Sequence, residues 1–257
     1  MSNAVRDPRH IVITGASSGI GAALAEAYAA PEVRLSLSGR NPERLANVAD
    51  RCRQRGASVE TQLLDVEDQT ATASWIATAD AAHPLDIVIA NAGISAGMGA
   101  GGESDEQARA IFRTNLDGVL NTVQPAAARM RAHGGGQIAV ISSLAAFRGF
   151  PGAPAYCASK AAVRVWAEAQ RPHLATQGVG MSVVCPGFVR SRMTAVNDFP
   201  MPFLMDASES ARIIRKGLAR DRARIGFPWP LTAAVWLLAA LPPAWTDRAM
   251  RSLPEKS

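Results

Sequence analysis

Residues 10–29 place an apolar run, a glycine-rich turn and an alanine-rich stretch in immediate succession, and few folds accommodate that order. His10-Ile11-Val12-Ile13 is short and mostly β-branched, which reads as a buried strand. Thr14-Gly15-Ala16-Ser17-Ser18-Gly19-Ile20-Gly21 follows, and then Ala22-Ala23-Leu24-Ala25-Glu26-Ala27-Tyr28-Ala29, which favours helix by propensity. Strand, glycine turn and helix together direct a helix N-terminus at a pyrophosphate. The glycines admit close approaches that a Cβ would block. Gly15, Ser17, Ser18, Gly19, Ile20 and Gly21 are therefore candidate cofactor-binding positions. The spacing is G-x-x-x-G-x-G, which differs from the general G-x-G-x-x-G fingerprint. A glycine turn without a ligand is the alternative, and the flanking strand and helix weigh against it.

The same rhythm continues along the chain. Apolar strand-like runs recur near 10–14, 33–38, 58–64, 86–90, 137–142 and 179–185, with helical stretches near 42–55, 68–79, 104–131 and 154–176. Alternating strands and helices imply a parallel sheet covered on both faces. Right-handed crossovers then give a doubly wound sheet. The expected fold class is α/β: a single Rossmann-type domain over 1–257, with six to seven mostly parallel strands. A hydrophobic content of 48% is enough for a large core. A ligand belongs at the carboxyl ends of the strands, and the glycine loop, Asn91, Ser143 and Pro186 each follow a predicted strand.

A second motif is Tyr156-Cys157-Ala158-Ser159-Lys160, whose first and last residues share one face of a helix. A phenol titrates near 10 and is a poor acid or base at neutral pH. A fixed ammonium beside it lowers that value and makes a tuned acid/base. Many surface helices carry such a pair; the glycine loop gives this one weight.

Thr14, Gly15, Gly19 and Gly21, then Asn91-Ala92-Gly93, Asn115 in Asn115-Leu116-Asp117-Gly118, Ser143 thirteen positions before Tyr156, Lys160, and Pro186-Gly187 follow one another in this order. Together they resemble the short-chain dehydrogenase/reductase family over most of the chain. The resemblance implies a catalytic set of Asn115, Ser143, Tyr156 and Lys160, and hydride transfer between a nicotinamide dinucleotide and a carbonyl. Tyr156 would supply the proton. Lys160 would lower the tyrosine pKa and hold the nicotinamide ribose. Ser143 would bond the substrate oxygen, and Asn115 would hold a relay water. Asn91, Ala92, Gly93, Tyr156, Lys160, Pro186, Gly187, Val189 and Ser191 would contact the cofactor. Residues 188–206 would form a substrate lid. The family is commonly dimeric or tetrameric, so a homodimer or homotetramer is expected. No G-x-S-x-G elbow surrounds Ser143, which argues against a hydrolase nucleophile.

Cofactor choice is read at the second strand, Arg34-Leu35-Ser36-Leu37-Ser38, which runs into Gly39-Arg40-Asn41. No acid occurs between Glu32 and Glu43 to bind ribose hydroxyls. Arg40 can face a 2′-phosphate in a charge-assisted contact, and Ser38 can add a hydroxyl. NADP is favoured over NAD, against the alternative that Arg40 only solvates a loop. Asp65-Val66 resembles the family's adenine contact; an ordinary acid at a helix start is the other reading.

A net charge of +5 comes from scattered arginines, which does not suggest nucleic-acid binding. The cysteines, Cys52, Cys157 and Cys185, form no C-x-x-C pair and fit a reducing, cytoplasmic setting. The four histidines are dispersed, so no metal site is expected. The N-terminal residues lack the apolar core of a signal peptide. The lid's Phe188, Met193, Phe199, Met201, Phe203 and Met205 suit a fairly apolar small molecule, or equally the packing of the lid on its own domain.

From Ile225 to Thr246 there is no charged residue. Pro228, Pro230, Pro242 and Pro243 confine a helix to about Leu231–Leu241. At ~1.5 Å per residue it spans roughly 17 Å, short of a bilayer core of about 30 Å. The apolar C-terminal extension, 225–257, can pack on the substrate pocket, form an oligomer interface or touch a membrane surface through 225–246. Burial against protein is favoured over the peripheral membrane contact. The expected activity is NADP-dependent carbonyl reduction or alcohol oxidation. The alternatives are a sugar-nucleotide epimerase or dehydratase, which shares Y-x-x-x-K, and a non-catalytic NADP-binding sensor or scaffold.

Overall fold

A computed structural model describes residues 3–95 and 102–250. Its elements run in the order β1 (His10–Ile13), α1 (Gly19–Tyr28), β2 (Arg34–Gly39), α2 (Pro42–Arg53), β3 (Ser58–Leu63), α3 (Gln69–Ala82), β4 (Ile87–Ala90) and α4 (Asp105–Phe112). A π-helical turn (Arg113–Asp117) leads into α5 (Gly118–Ala132), β5 (Gly136–Ile141), a 3-10 turn (Leu144–Ala146), α6 (Pro154–Ala175) and β6 (Val179–Pro186). The chain continues through α7 (Arg192–Ala195), α8 (Ala207–Leu218), β7 (Arg224–Phe227), α9 (Trp229–Ala240) and α10 (Pro243–Met250).

The strands form one seven-stranded sheet in the order β3-β2-β1-β4-β5-β6-β7, and every pairing is parallel. After β3 the chain crosses back past β1 to begin β4, so the topological switch lies between β1 and β4. Both faces are covered, and the alternation of side chains sorts them. Ile11 and Ile13 of β1 and Ile87 and Ile89 of β4 pack with Leu24, Leu45, Ile214 and Leu218 of α1, α2 and α8. Val12 and Val88, pointing the other way, pack with Ile76, Val123 and Val163 of α3, α5 and α6. Ile13 pairs with Leu37 on one side and Ile89 on the other, which aligns the strand ends that carry the loops of the site.

The C-terminal extension differs from expectation in two ways. None of the expected strand runs reaches its first residues, yet Ile225 and Phe227 are buried in β7, the edge strand. Burial against protein, the favoured reading, holds for one side of α9 only. Leu231 and Val235 pack on the core beside Leu144 and Phe147, whereas Trp229, Trp236 and Trp245 are 79%, 62% and 76% exposed. The helix begins before Leu231 because Pro230 occupies its first turn, where a missing N–H costs nothing. No helix among the described residues is long and apolar enough to cross a membrane. Residues 251–257 of the extension lie outside the described residues.

Candidate active site

The glycine loop is held as a preformed cradle. Gly15 and Gly19 adopt φ of 65° and 56°, a region that side chains with a Cβ disfavour. A Cβ on Gly21 would lie 2.5 Å from both Asn91 Nδ2 and the Gly15 carbonyl oxygen. Asn91 is why the fit is so close. Its Nδ2 donates to the carbonyls of Thr14 and Gly15 at 2.9 and 3.1 Å. Thr14 Oγ1 in turn accepts the backbone N–H groups of Asn91 and Ala92 at 3.0 and 3.2 Å. Asn91, expected as a cofactor contact, thus has its amide engaged in tying the end of β4 to the loop after β1. Ser18 caps α1 without a side-chain hydrogen bond, which leaves the helix N-terminus and its partial positive charge for an anion. Ser17, Ser18, Gly19 and Ile20 are partly exposed along this rim.

At the end of β2, Arg40 is exposed and its Nη1 lies 3.5 Å from Asp65 Oδ2. Asp65 Oδ1 also accepts the Glu67 N–H at 3.1 Å. The two residues expected at the adenosine end are therefore brought together. Val66 is buried. Ser38 is fully buried with its hydroxyl unpaired, in contrast to exposed Arg40.

The catalytic candidates converge beyond β5. Ser142 and Ser143 part company there. Ser142 is buried and donates Oγ to the Lys160 carbonyl at 2.8 Å, whereas Ser143 is partly exposed and its Oγ accepts the Ala145 N–H at 3.1 Å. Ser143 Oγ also lies 3.5 Å from the Pro186 carbonyl, which brings Pro186 to the site. Tyr156 is the third residue of α6. Burial pushes its phenol above the ordinary value, and the facing Ser143 hydroxyl works in the opposite direction. The expectation of a tyrosine pKa lowered by Lys160 is not met. Lys160 is itself buried, its Nζ donates to the Ile141 carbonyl at 2.9 Å, and desolvation takes it down to about 8.

Asn115 lies in the π-helical turn, fully buried. Its Oδ1 accepts the Ile94 N–H at 2.8 Å, and its Nδ2 donates to the Ile94 carbonyl and to Ser159 Oγ, both at 3.0 Å. The side-chain amide of Asn115, the residue expected to hold a relay water, fastens the chain after β4 to α6. Gly93 allows the approach: a Cβ there would lie 3.1 Å from Asn115 Oδ1 and 3.2 Å from Lys160 Nζ. Ser159, which bridges Asn115 to the Tyr156 carbonyl, was missed as a site residue. Its position beside Lys160 was the only signal.

After β6, the Gly187 N–H bonds the Phe227 carbonyl at 2.8 Å, and buried Val189 bridges to Met205. Ser191 caps α7 in a reciprocal pair with Thr194. This segment returns to the glycine loop, since a Cβ on Gly19 would lie 3.1 Å from Ser191 Cβ. In the segment 188–206, expected as a substrate lid, Phe188 and Phe199 meet edge to face at 6.1 Å, while Phe203 remains exposed. Among the described residues no group of three His, Cys, Asp or Glu side chains could hold a metal. The three thiols are buried, and burial raises the pKa of each, which makes them poor nucleophiles.

The short chain dehydrogenase family model matches residues 9–199. An oxidoreductase of Myxococcus xanthus is 38% identical over 246 residues, covering 95% of this chain and 97% of its own. The ketoacyl reductase HetN of Nostoc is 32% identical over 180 residues, covering 70% of this chain and 63% of its own. Among solved structures, a short chain dehydrogenase/reductase of Burkholderia phymatum in complex with NAD superposes with a TM-score of 0.83 at 24% identity, covering 98% of each chain.

Proposed function

The chain belongs to the short chain dehydrogenase family and is an oxidoreductase, and from that premise we propose that it transfers a hydride between NADPH and the carbonyl of a fairly apolar small molecule. The observation that carries this reading is the convergence of the Ser143 hydroxyl and the Tyr156 phenol at the end of β5, with Lys160 behind them. The chain's residues fit a dinucleotide, because the Gly15–Gly21 turn leaves backbone where a Cβ would intrude, and α1 offers an N-terminus without a side-chain cap.

Bound there, the dinucleotide supplies the hydride. Tyr156 Oη gives its proton to the substrate oxygen; burial alone makes the phenol a weaker acid, and the facing Ser143 hydroxyl works against that. Ser143 Oγ donates to the same oxygen and stabilises the charge that develops on it. Lys160 has three N–H donors. One is engaged by Ile141, and the others can hold ribose hydroxyls.

The preference for NADP rests on Arg40, which is exposed at the end of β2 with no acid between Glu32 and Glu43. A 2′-phosphate would compete with Asp65 for that guanidinium. HetN's name, ketoacyl reductase, is in keeping with a carbonyl substrate for this chain. A cytoplasmic homo-oligomer completes the reading, supported by the apolar side of α9 that one chain leaves uncovered. The test is NADPH consumption against a panel of apolar ketones, aldehydes and quinones, with Tyr156→Phe as the control. Turnover that is lost in the control supports the reading. Turnover that survives in the control, or NADPH binding without turnover of any carbonyl, refutes it.

A further inference from the structure

The helix that carries Tyr156 and Lys160 begins without a cap of its own. Ala153 stands at its N-cap with no side chain able to accept a hydrogen bond, and Pro154 follows. The next residue, Ala155, has one of the amides that a helix leaves unpaired at its start. Its N–H is taken by Glu103, from the segment leading into α4, with carboxylate oxygens at 3.0 and 3.3 Å. Glu103 is partly buried, and no cation lies within ion-pair distance of it among the described residues. The charge it meets instead is the positive end of the α6 dipole, a favourable place for a carboxylate.

We propose that Glu103 is a positioning residue for Tyr156, supplying from 52 residues away the cap that α6 lacks. The effect is selective because α6 is fastened unevenly. Lys160 is held independently of Glu103, through its carbonyl by Ser142 and through its Nζ by Ile141, whereas the Tyr156 backbone is tied at its carbonyl by Ser159 Oγ and its turn starts at the amide that Glu103 caps. Tyr156 belongs to the first turn, directly after the capped amide. Loss of the cap therefore loosens the proton donor and leaves the lysine in place. The inference rests on the reading of Tyr156 as that donor.

The test compares Glu103→Ala with Glu103→Gln, whose amide oxygen can still accept the Ala155 N–H. In Glu103→Ala, kcat is expected to fall roughly five- to tenfold, the scale of a lost N-cap, with KM for NADPH within about twofold of wild type because Lys160 has not moved. Glu103→Gln restores kcat. Amide exchange over residues 155–158 is faster in the alanine variant and near wild type in the glutamine variant. A wild-type kcat in Glu103→Ala, a loss that falls mainly on KM for NADPH, or no rescue by glutamine overturns the proposal. A wild-type protein that reduces no carbonyl overturns the reductase reading instead. The exchange comparison then decides alone, and unchanged exchange in Glu103→Ala overturns the capping role.

Discussion

Lys160 and Tyr156 share one face of α6, the ammonium 5.8 Å from the centre of the phenol ring, and burial drives both toward their neutral forms. The pair is not a settled ion pair. It is an acid held protonated beside a base held close to losing its charge.

One consequence is thermodynamic. Lys160 titrates at about 8 in the folded protein, below its ordinary 10.5. Between those values the unfolded chain binds more protons, so this group's contribution to stability rises with pH. Below about 8 the full cost of burying the charge is present. Lys160→Met removes that cost along with activity. The unfolding free energy of wild type relative to Lys160→Met should therefore rise from pH 7 to pH 10 in urea titrations. A gap that does not change with pH would contradict the depressed lysine.

Cofactor preference turns on one guanidinium. Replacing Arg40 by Asp should lower the ratio of kcat/KM for NADPH over NADH by about tenfold or more, the scale of a lost charge-assisted bond. Initial rates with each dinucleotide read this directly. An unchanged ratio would remove Arg40 from phosphate recognition.

The two adjacent serines should behave differently. Ser143→Ala removes the donor facing Tyr156 and should cost roughly 100-fold in kcat, the scale of a lost oxyanion donor. Ser142→Ala removes the bond to the Lys160 carbonyl and should cost about 1 kcal/mol of stability, with a much smaller loss of rate. Comparing kcat with the urea midpoint in both variants checks the assignment.

Gly21→Ala tests the cradle. The added methyl would meet Asn91 Nδ2 and the Gly15 carbonyl at 2.5 Å, and backbone cannot retreat cheaply. Destabilisation of roughly 1–3 kcal/mol is expected, with weaker dinucleotide binding by fluorescence titration. A variant as stable as wild type would show that the loop yields.

Much of this arrangement is legible in the sequence because it is local. The helical spacing of Tyr156 and Lys160 and the strand–turn–helix around Gly15 need no knowledge of distant residues. The structure places the glycine turn at the end of β1 and the Tyr156–Lys160 pair on one face of α6. What escapes is set by tertiary contact. Strands buried on both faces give no alternation to show which way Ser38 points. Nothing near Asn91 or Asn115 in sequence says that their amides are engaged by Gly15 and Ile94. β7 is four residues long and opens on Arg224, too short and mixed to stand out from the uncharged tail. The tyrosine pKa follows from burial, which residue spacing does not encode.

The bare side of the C-terminal helices has an optical consequence. Of five tryptophans, three stand exposed at Trp229, Trp236 and Trp245. Most indoles of the protein thus report from the C-terminal helices, away from the folded interior. Whatever covers these helices moves the indoles from water into an apolar setting, and the intrinsic emission shifts to the blue without any label. The molecule carries its own gauge of contact, read simply by diluting it or by adding a partner.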